Sequence, residues 1–198
     1  LIKDQVNDAH WYAALEAQMA EVGEQITGNR RAAIARIAVA ADPASAFPSA
    51  DLTLTGPEGS EEPADLALAL ADSRRRDIAA GRTLIGPHRA DLLARYTAKD
   101  VPADQCSTGE QKALLISLIL ANARALAQDL GRAPILLLDE VAAHLDDQRR
   151  AALYDEICVL GAQALMTGTE ADLFSALGNR GHTLSVRDTD AGSQITME

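Results

Sequence analysis

Cys106-Ser107-Thr108-Gly109-Glu110-Gln111-Lys112 is followed further along the chain by Ile135-Leu136-Leu137-Leu138-Asp139-Glu140. The first run is a polar turn with one glycine, set directly before Ala113-Leu114-Leu115-Ile116. Hydroxyl residues ahead of an apolar run mark the start of a helix. The second run is apolar without alternation and ends in two acids. Such a run reads as a central parallel strand covered on both faces. Leu145-Asp146 comes five residues after Glu140. Acids at the carboxyl end of a central strand face the crevice where open α/β sheets bind ligands.

Working outward, helix is expected over residues 109–129, mostly buried, and over 147–160. A strand follows at 162–167, then a short helix at 170–177. A terminal hairpin pairs 183–187 with 194–197 around Asp190-Ala191-Gly192. Upstream, residues 1–41 read as helix, with Trp11, Leu15, Met19, Val22 and Ile26 recurring every three or four positions. Gly28 is a candidate break, and Asp42-Pro43 a stop. Residues 51–55 read as a strand. Pro63 suits the first turn of a second helix, which runs to Ala80 with Gly81 as its cap. The two helices are expected to pack as an antiparallel arm. Residues 83–85 and 91–97 read as strands around Gly86-Pro87-His88-Arg89. The expected division is a mainly helical arm over 1–82 and an α/β lobe over 83–198.

Eighteen basic side chains against twenty-nine acidic ones give a formal charge of −11. That field opposes nucleic-acid binding over the surface at large, so any such contact needs a local basic patch or another part of the protein. Cys106 and Cys158 show neither metal spacing nor a disulfide framework, which suits a reducing, cytoplasmic setting. No apolar run reaches the ~18 residues that suggest a membrane span, and no signal peptide is visible. The chain opens on Leu1, inside a helical pattern, as a fragment would.

The order and spacing of these runs resemble the signature motif, Walker B strand and D-loop of an ABC-type ATPase head. No G-x-x-x-x-G-K-[ST] phosphate loop occurs in the 198 residues. The expected fold is therefore α/β: the C-terminal half of a P-loop ABC-type ATPase head with an α-helical arm, or lobe II. ATP and Mg²⁺ are the implied cofactors. Asp139 would hold Mg²⁺ through water, and Glu140 would polarise the attacking water. A strand-end acid pair that merely caps the next helix is the plainer reading.

Ser107, Thr108, Gly109 and Glu110 form a helix start, where free N–H groups and the helix dipole favour an anion. In ABC heads this turn grips the γ-phosphate of ATP held by the opposite subunit; otherwise Ser107 or Thr108 is an ordinary N-cap. Asp146 fits the D-loop acid and also an N-cap. Transporter heads carry a switch histidine after the next strand. Here the run is Met166-Thr167-Gly168-Thr169, which leaves Thr167 and Thr169 as candidate γ-phosphate sensors.

Arg76-Asp77 and Gly81-Arg82-Thr83-Leu84-Ile85-Gly86-Pro87-His88-Arg89-Ala90-Asp91-Leu92 resemble the distinctive G-P-H-R-x-D-L segment of the RecF family. Ser107 to Lys112, Leu138 to Asp146 and Met166 to Thr169 resemble that family as well. So do the Trp11 helix with Arg30-Arg31 and the pair Phe47-Pro48. The resemblance implies a bacterial recombination mediator related to SMC heads. Such a protein dimerises on ATP, binds single-stranded or gapped DNA, and acts with RecO and RecR in RecA loading, replication, repair and the SOS response. The intact protein would be a slow DNA-dependent ATPase; these residues alone, without the phosphate loop, would be inactive. His88, Arg89, Arg74, Arg75 and Arg76 are candidate DNA or interlobe contacts, against the plainer readings of a structural turn and a solvated charge run. A transporter-coupling or SMC-like ATPase subunit and a non-catalytic structural fragment are the alternatives. The missing switch histidine and the G-P-H-R segment speak against a transporter.

Overall fold

The computed structural model describes residues 8–189 and 192–197. The first seven positions of the expected N-terminal helix and Asp190-Ala191 of the hairpin turn lie outside them. The chain packs as two compact units, one of residues up to 41 with 48–107, the other of 42–47 with 108–198. Residues 83–107 thus pack with the first unit, whereas the sequence-based division falls at residue 82.

In the first unit, α1 (Ala9–Ala40) is an unbroken 32-residue helix. Asp8 caps it, its Oδ1 accepting the N–H groups of His10 at 2.9 Å and Trp11 at 3.2 Å. Gly28 does not break it; one interior glycine costs about 1 kcal/mol, which the rest of a long helix outweighs. The apolar stripe is mostly exposed, Trp11 at 53% and Val22 at 54%, with Leu15 half-buried. The buried face is rotated from it and carries Tyr12, Ala20 and Gly23. Close approach explains this. A Cβ on Gly23 would lie 2.5 Å from Leu66 Cδ2 and 3.3 Å from Pro87 Cδ. At Ala20 and Gly23 small residues admit the neighbouring helix.

That neighbour is α2 (Leu66–Ala80), antiparallel to α1, with Gly23 against Leu66 and Glu16 against Arg74. It starts three residues after Pro63 because Asp65 supplies the cap, accepting Leu68 N–H at 2.9 Å. It ends at Gly81 in the left-handed conformation (φ 67°), as the sequence suggests. Two substitutions separate packing from propensity. Gly28→Ala meets no atom within 4 Å and should stabilise the protein by about 1 kcal/mol. Gly23→Ile should destabilise it by ~1–3 kcal/mol through overpacking. Urea denaturation measures both; a Gly23→Ile variant as stable as the parent contradicts the close helix contact.

Strand β1 (Ala50–Thr55) pairs antiparallel with β2 (Asp91–Tyr96), and β2 with β3 (Val101–Pro102). Residues 83–85, expected as a strand, are not one. Leu84 N–H donates to Asp77 Oδ1 at 3.1 Å instead of to a neighbouring strand. Asp77 is buried and accepts Ser73 Oγ at 2.8 Å as well. Gly86 (φ 129°) then turns the chain into the 3₁₀ turn Pro87–Arg89, a conformation that favours glycine.

In the second unit, α3 (Thr108–Leu130), β4 (Leu136–Leu138), α4 (Asp147–Leu160) and β5 (Ala164–Met166) follow in order. β4 and β5 pair in parallel, Leu138 opposite Met166. Ile116 and Leu120 of α3, Leu136 and Leu138 of β4, and Leu153 and Tyr154 of α4 form the core, with Phe47 inserted. Glu156 ties Phe47's segment down: it accepts Ser45 Oγ at 2.6 Å and pairs with Arg124. By length and composition alone α3 could cross a membrane; here its residues Ala113, Leu114, Ile116 and Leu120 are buried. Its Leu115 is 58% exposed.

β4 is covered on one face only. Leu136 and Leu138 are buried, while Leu137 is 74% exposed beside Leu165, its exposed partner on β5. Among the described residues no third strand joins this pair. β6 (Leu184–Thr189) and β7 (Gly192–Met197) form the terminal hairpin.

Tyr154 is fully buried, and its hydroxyl donates to the Leu173 carbonyl at 2.8 Å. Burial raises its pKa, against a smaller lowering by Arg150. The unfolded chain therefore loses this proton near pH 10 while the folded chain retains it. Its contribution is fully present below pH 10 and is lost as pH rises through the higher folded pKa. Tyr154→Phe should flatten that alkaline fall in urea midpoints, with a loss of about 1 kcal/mol at neutral pH from the missing hydrogen bond. An unchanged alkaline fall contradicts the assignment.

Candidate functional site

The end of β4 brings the candidate acids together. Asp139 and Glu140 are both exposed and lie directly after Leu138. Glu140 adopts the left-handed conformation (φ 49°, ψ 20°), which is uncommon for a residue with a side chain and concentrates at functional sites. It begins the 3₁₀ turn Val141–His144. The parallel register sets Thr167, the residue after β5, beside this corner. Thr167 N–H donates to the Leu138 carbonyl at 3.1 Å. Its Oγ1 accepts the Glu140 N–H at 3.0 Å and donates its own proton to Asp139 Oδ1.

Among the described residues no arginine, lysine or histidine pairs with Asp139, so its charge is open to a cation. No group of three or more metal-ligating side chains occurs among them. That donor set fits Mg²⁺ bound to nucleotide, which takes one or two carboxylates and draws its other ligands from water and phosphate oxygens. It does not fit a metal caged by protein alone.

Asp146 caps α4: its Oδ1 accepts Arg149 N–H at 2.8 Å, and its side chain is 61% exposed. The cap is thus present, and the carboxylate still reaches solvent. Thr169 is exposed, two residues beyond Thr167. Ser107, Thr108 and Gly109 are exposed at the start of α3, and Glu110 is half-buried. Nothing lies within 4 Å of a Cβ built on Gly109.

The remaining candidates belong to the first unit. Arg74 is committed to Glu16 through two hydrogen bonds, Nε to Oε1 at 2.6 Å and Nη2 to Oε2 at 2.5 Å. The bond to Glu16 raises its pKa, with burial opposing. This forked pair joins α1 to α2, as arginine suits. Arg75 and Arg76 are exposed, and Arg76 Nη2 also reaches Ser73 Oγ at 3.4 Å. His88 Nε2 lies 3.2 Å from the Thr83 carbonyl, and Arg30 Nη1 donates to the Pro87 carbonyl at 2.6 Å. Arg89 is exposed. The G-P-H-R turn is therefore braced from α1, a role that sequence reading did not assign to Arg30. The link from Thr167 to Asp139 follows from the strand register, since the two residues come directly after the paired Met166 and Leu138.

A parallel strand ending in Asp-Glu, with a hydroxyl-bearing turn at the head of the preceding helix, is the arrangement expected from the sequence for the second half of an ABC-type ATPase head. No family model matches the chain. Curated relatives do. It is 51% identical over 193 residues to the DNA replication and repair protein RecF of Allorhizobium ampelinum, covering 91% of this chain and 51% of that protein. It is 50% identical over 196 residues to the RecF of Rhizobium rhizogenes, covering 94% and 52%. By sequence the chain is similar to RecF proteins, and it spans about half the length of the curated relatives it matches. The fold agrees. The solved recombination mediator protein RecF-ATP superposes with a TM-score of 0.64 at 21% identity, over 86% of this chain and 48% of that one.

Proposed function

We propose that the chain supplies the hydrolytic corner and the cross-subunit turn of an ATP-switched clamp acting in DNA replication and repair. The observation that carries this is the Asp139-Glu140 corner locked to Thr167, in a chain half identical to RecF proteins. Bound Mg²⁺ would offset the charge of the nucleotide's phosphates. Asp139 would help to hold that ion. Glu140 takes a proton from the attacking water. The start of α3, with Ser107, Thr108, Gly109 and Glu110, faces the nucleotide of a second protomer, and Asp146 aligns the two heads. Thr167 and Thr169 stand on the γ-phosphate side.

In this reading the whole protein works in the cytoplasm as a slow DNA-dependent ATPase. It dimerises on ATP, engages single-stranded or gapped DNA, and assists RecA loading together with RecO and RecR. With a formal charge of −11, DNA is met by local basic groups, for which His88, Arg89, Arg75 and Arg76 are the candidates. The open face of β4 and β5, with Leu137 and Leu165, is where the rest of such a protein would cover the sheet.

Two experiments test the proposal. In a full-length protein carrying these residues, Asp139→Asn should abolish Mg²⁺-dependent ATP turnover; turnover at the parent rate sinks the assignment. The 198 residues alone, without a phosphate loop, should give no heat of MgATP binding in calorimetry. Micromolar affinity would mean that the chain holds a complete site.

A further inference from the structure

We propose that Thr167 is the positioning residue of the acidic corner: its single hydroxyl aligns the Asp139 carboxylate and holds Glu140 in its left-handed turn. This rests on the ATPase reading above. A threonine hydroxyl has one proton and two acceptor lone pairs. Here the proton goes to Asp139 Oδ1, and a lone pair receives the Glu140 N–H at 3.0 Å. One side chain therefore fixes the metal-orienting carboxylate and the backbone of the water-activating residue together. With its proton committed to Asp139, Thr167 acts on the nucleotide through these two acids.

Thr167 is itself held from both sides. Its N–H extends the β4–β5 ladder to the Leu138 carbonyl at 3.1 Å. Its neighbour Gly168 lies against a wall: a Cβ there would meet the Phe174 ring at 3.0 Å and Leu173 Cδ1 at 3.1 Å. That wall is anchored to α4 by the buried Tyr154 hydroxyl on the Leu173 carbonyl at 2.8 Å. A hydroxyl in so fixed a frame gives the acids one geometry before nucleotide arrives, which is what positioning in catalysis requires.

Thr167→Val keeps the shape and deletes the hydroxyl; Thr167→Ser keeps the hydroxyl and deletes the methyl. In the full-length protein, Thr167→Val should lower kcat for ATP ~10- to 100-fold with KM within about threefold, and Thr167→Ser should restore kcat to within about threefold. Three results overturn the inference: parent kcat in Thr167→Val, loss of ATP affinity in place of kcat, or Thr167→Ser as slow as Thr167→Val. If Thr167→Val does not fold, Thr167→Ala carries the same expectation. Glu140→Gln serves as the reference. Should it hydrolyse ATP normally, the ATPase reading and this inference fall together; should it be inactive while Thr167→Val is normal, this inference alone falls.

Discussion

Glu140→Gln in the full-length protein is expected to bind ATP and DNA, to dimerise, and then to stop. Glutamine keeps the size of the side chain and removes its ability to take a proton. The backbone is not disturbed, because the left-handed turn at this position is held through the Glu140 N–H on Thr167 Oγ1 rather than through the carboxylate. General-base catalysis contributes typically 10²–10⁴-fold, so steady-state hydrolysis should fall by about that factor. In the proposed cycle release follows hydrolysis, so the ATP-bound dimer should persist in sedimentation long after the parent has returned to monomer. Unchanged turnover would remove Glu140 from the role.

Ser107→Arg is expected to have an equally large effect on a different observable. Ser107 is exposed at the head of α3, so an arginine there is tolerated by the fold of the isolated protomer. At an intersubunit ATP site it would fill the space of the phosphate and add bulk where two surfaces must meet. ATP binding to each protomer should survive, and ATP-dependent dimerisation should be lost. If Ser107 were only a helix cap, the change would cost about 1 kcal/mol of stability and dimerisation would persist. Sedimentation with and without ATP separates the two outcomes.

The helices and strand that carry the site are readable in the sequence because local signals agree there. A hydroxyl turn ahead of an apolar run gives α3, an unalternating run with two terminal acids gives β4, and Asp146 marks the start of α4 as its cap. Gly81 ends α2 for the same local reason. What escapes the sequence depends on partners distant along the chain. α1 buries Ala20 and Gly23 rather than Trp11 and Val22 because Leu66 and Pro87 press on it, and a hydrophobic stripe cannot report a contact made through small residues. Residues 83–85 look like a strand, yet the Asp77 side chain takes the Leu84 N–H that a ladder would have used. β4 reads as doubly covered, yet one face is open. Thr167 is visible as a hydroxyl after a strand; its bond to Asp139 follows only from the parallel register.

The central claim is that one protomer contributes Glu140 and the other contributes Ser107 to the same ATP. Mixing the two full-length variants tests it most directly. In a hybrid dimer of Ser107→Arg with Glu140→Gln, one site is doubly defective and the other is intact, because its Glu140 and its Ser107 come from different chains. The shared-site account predicts that the mixture hydrolyses ATP well above the sum of the two variants measured separately. Turnover equal to that sum, with hybrid dimers present, would contradict it.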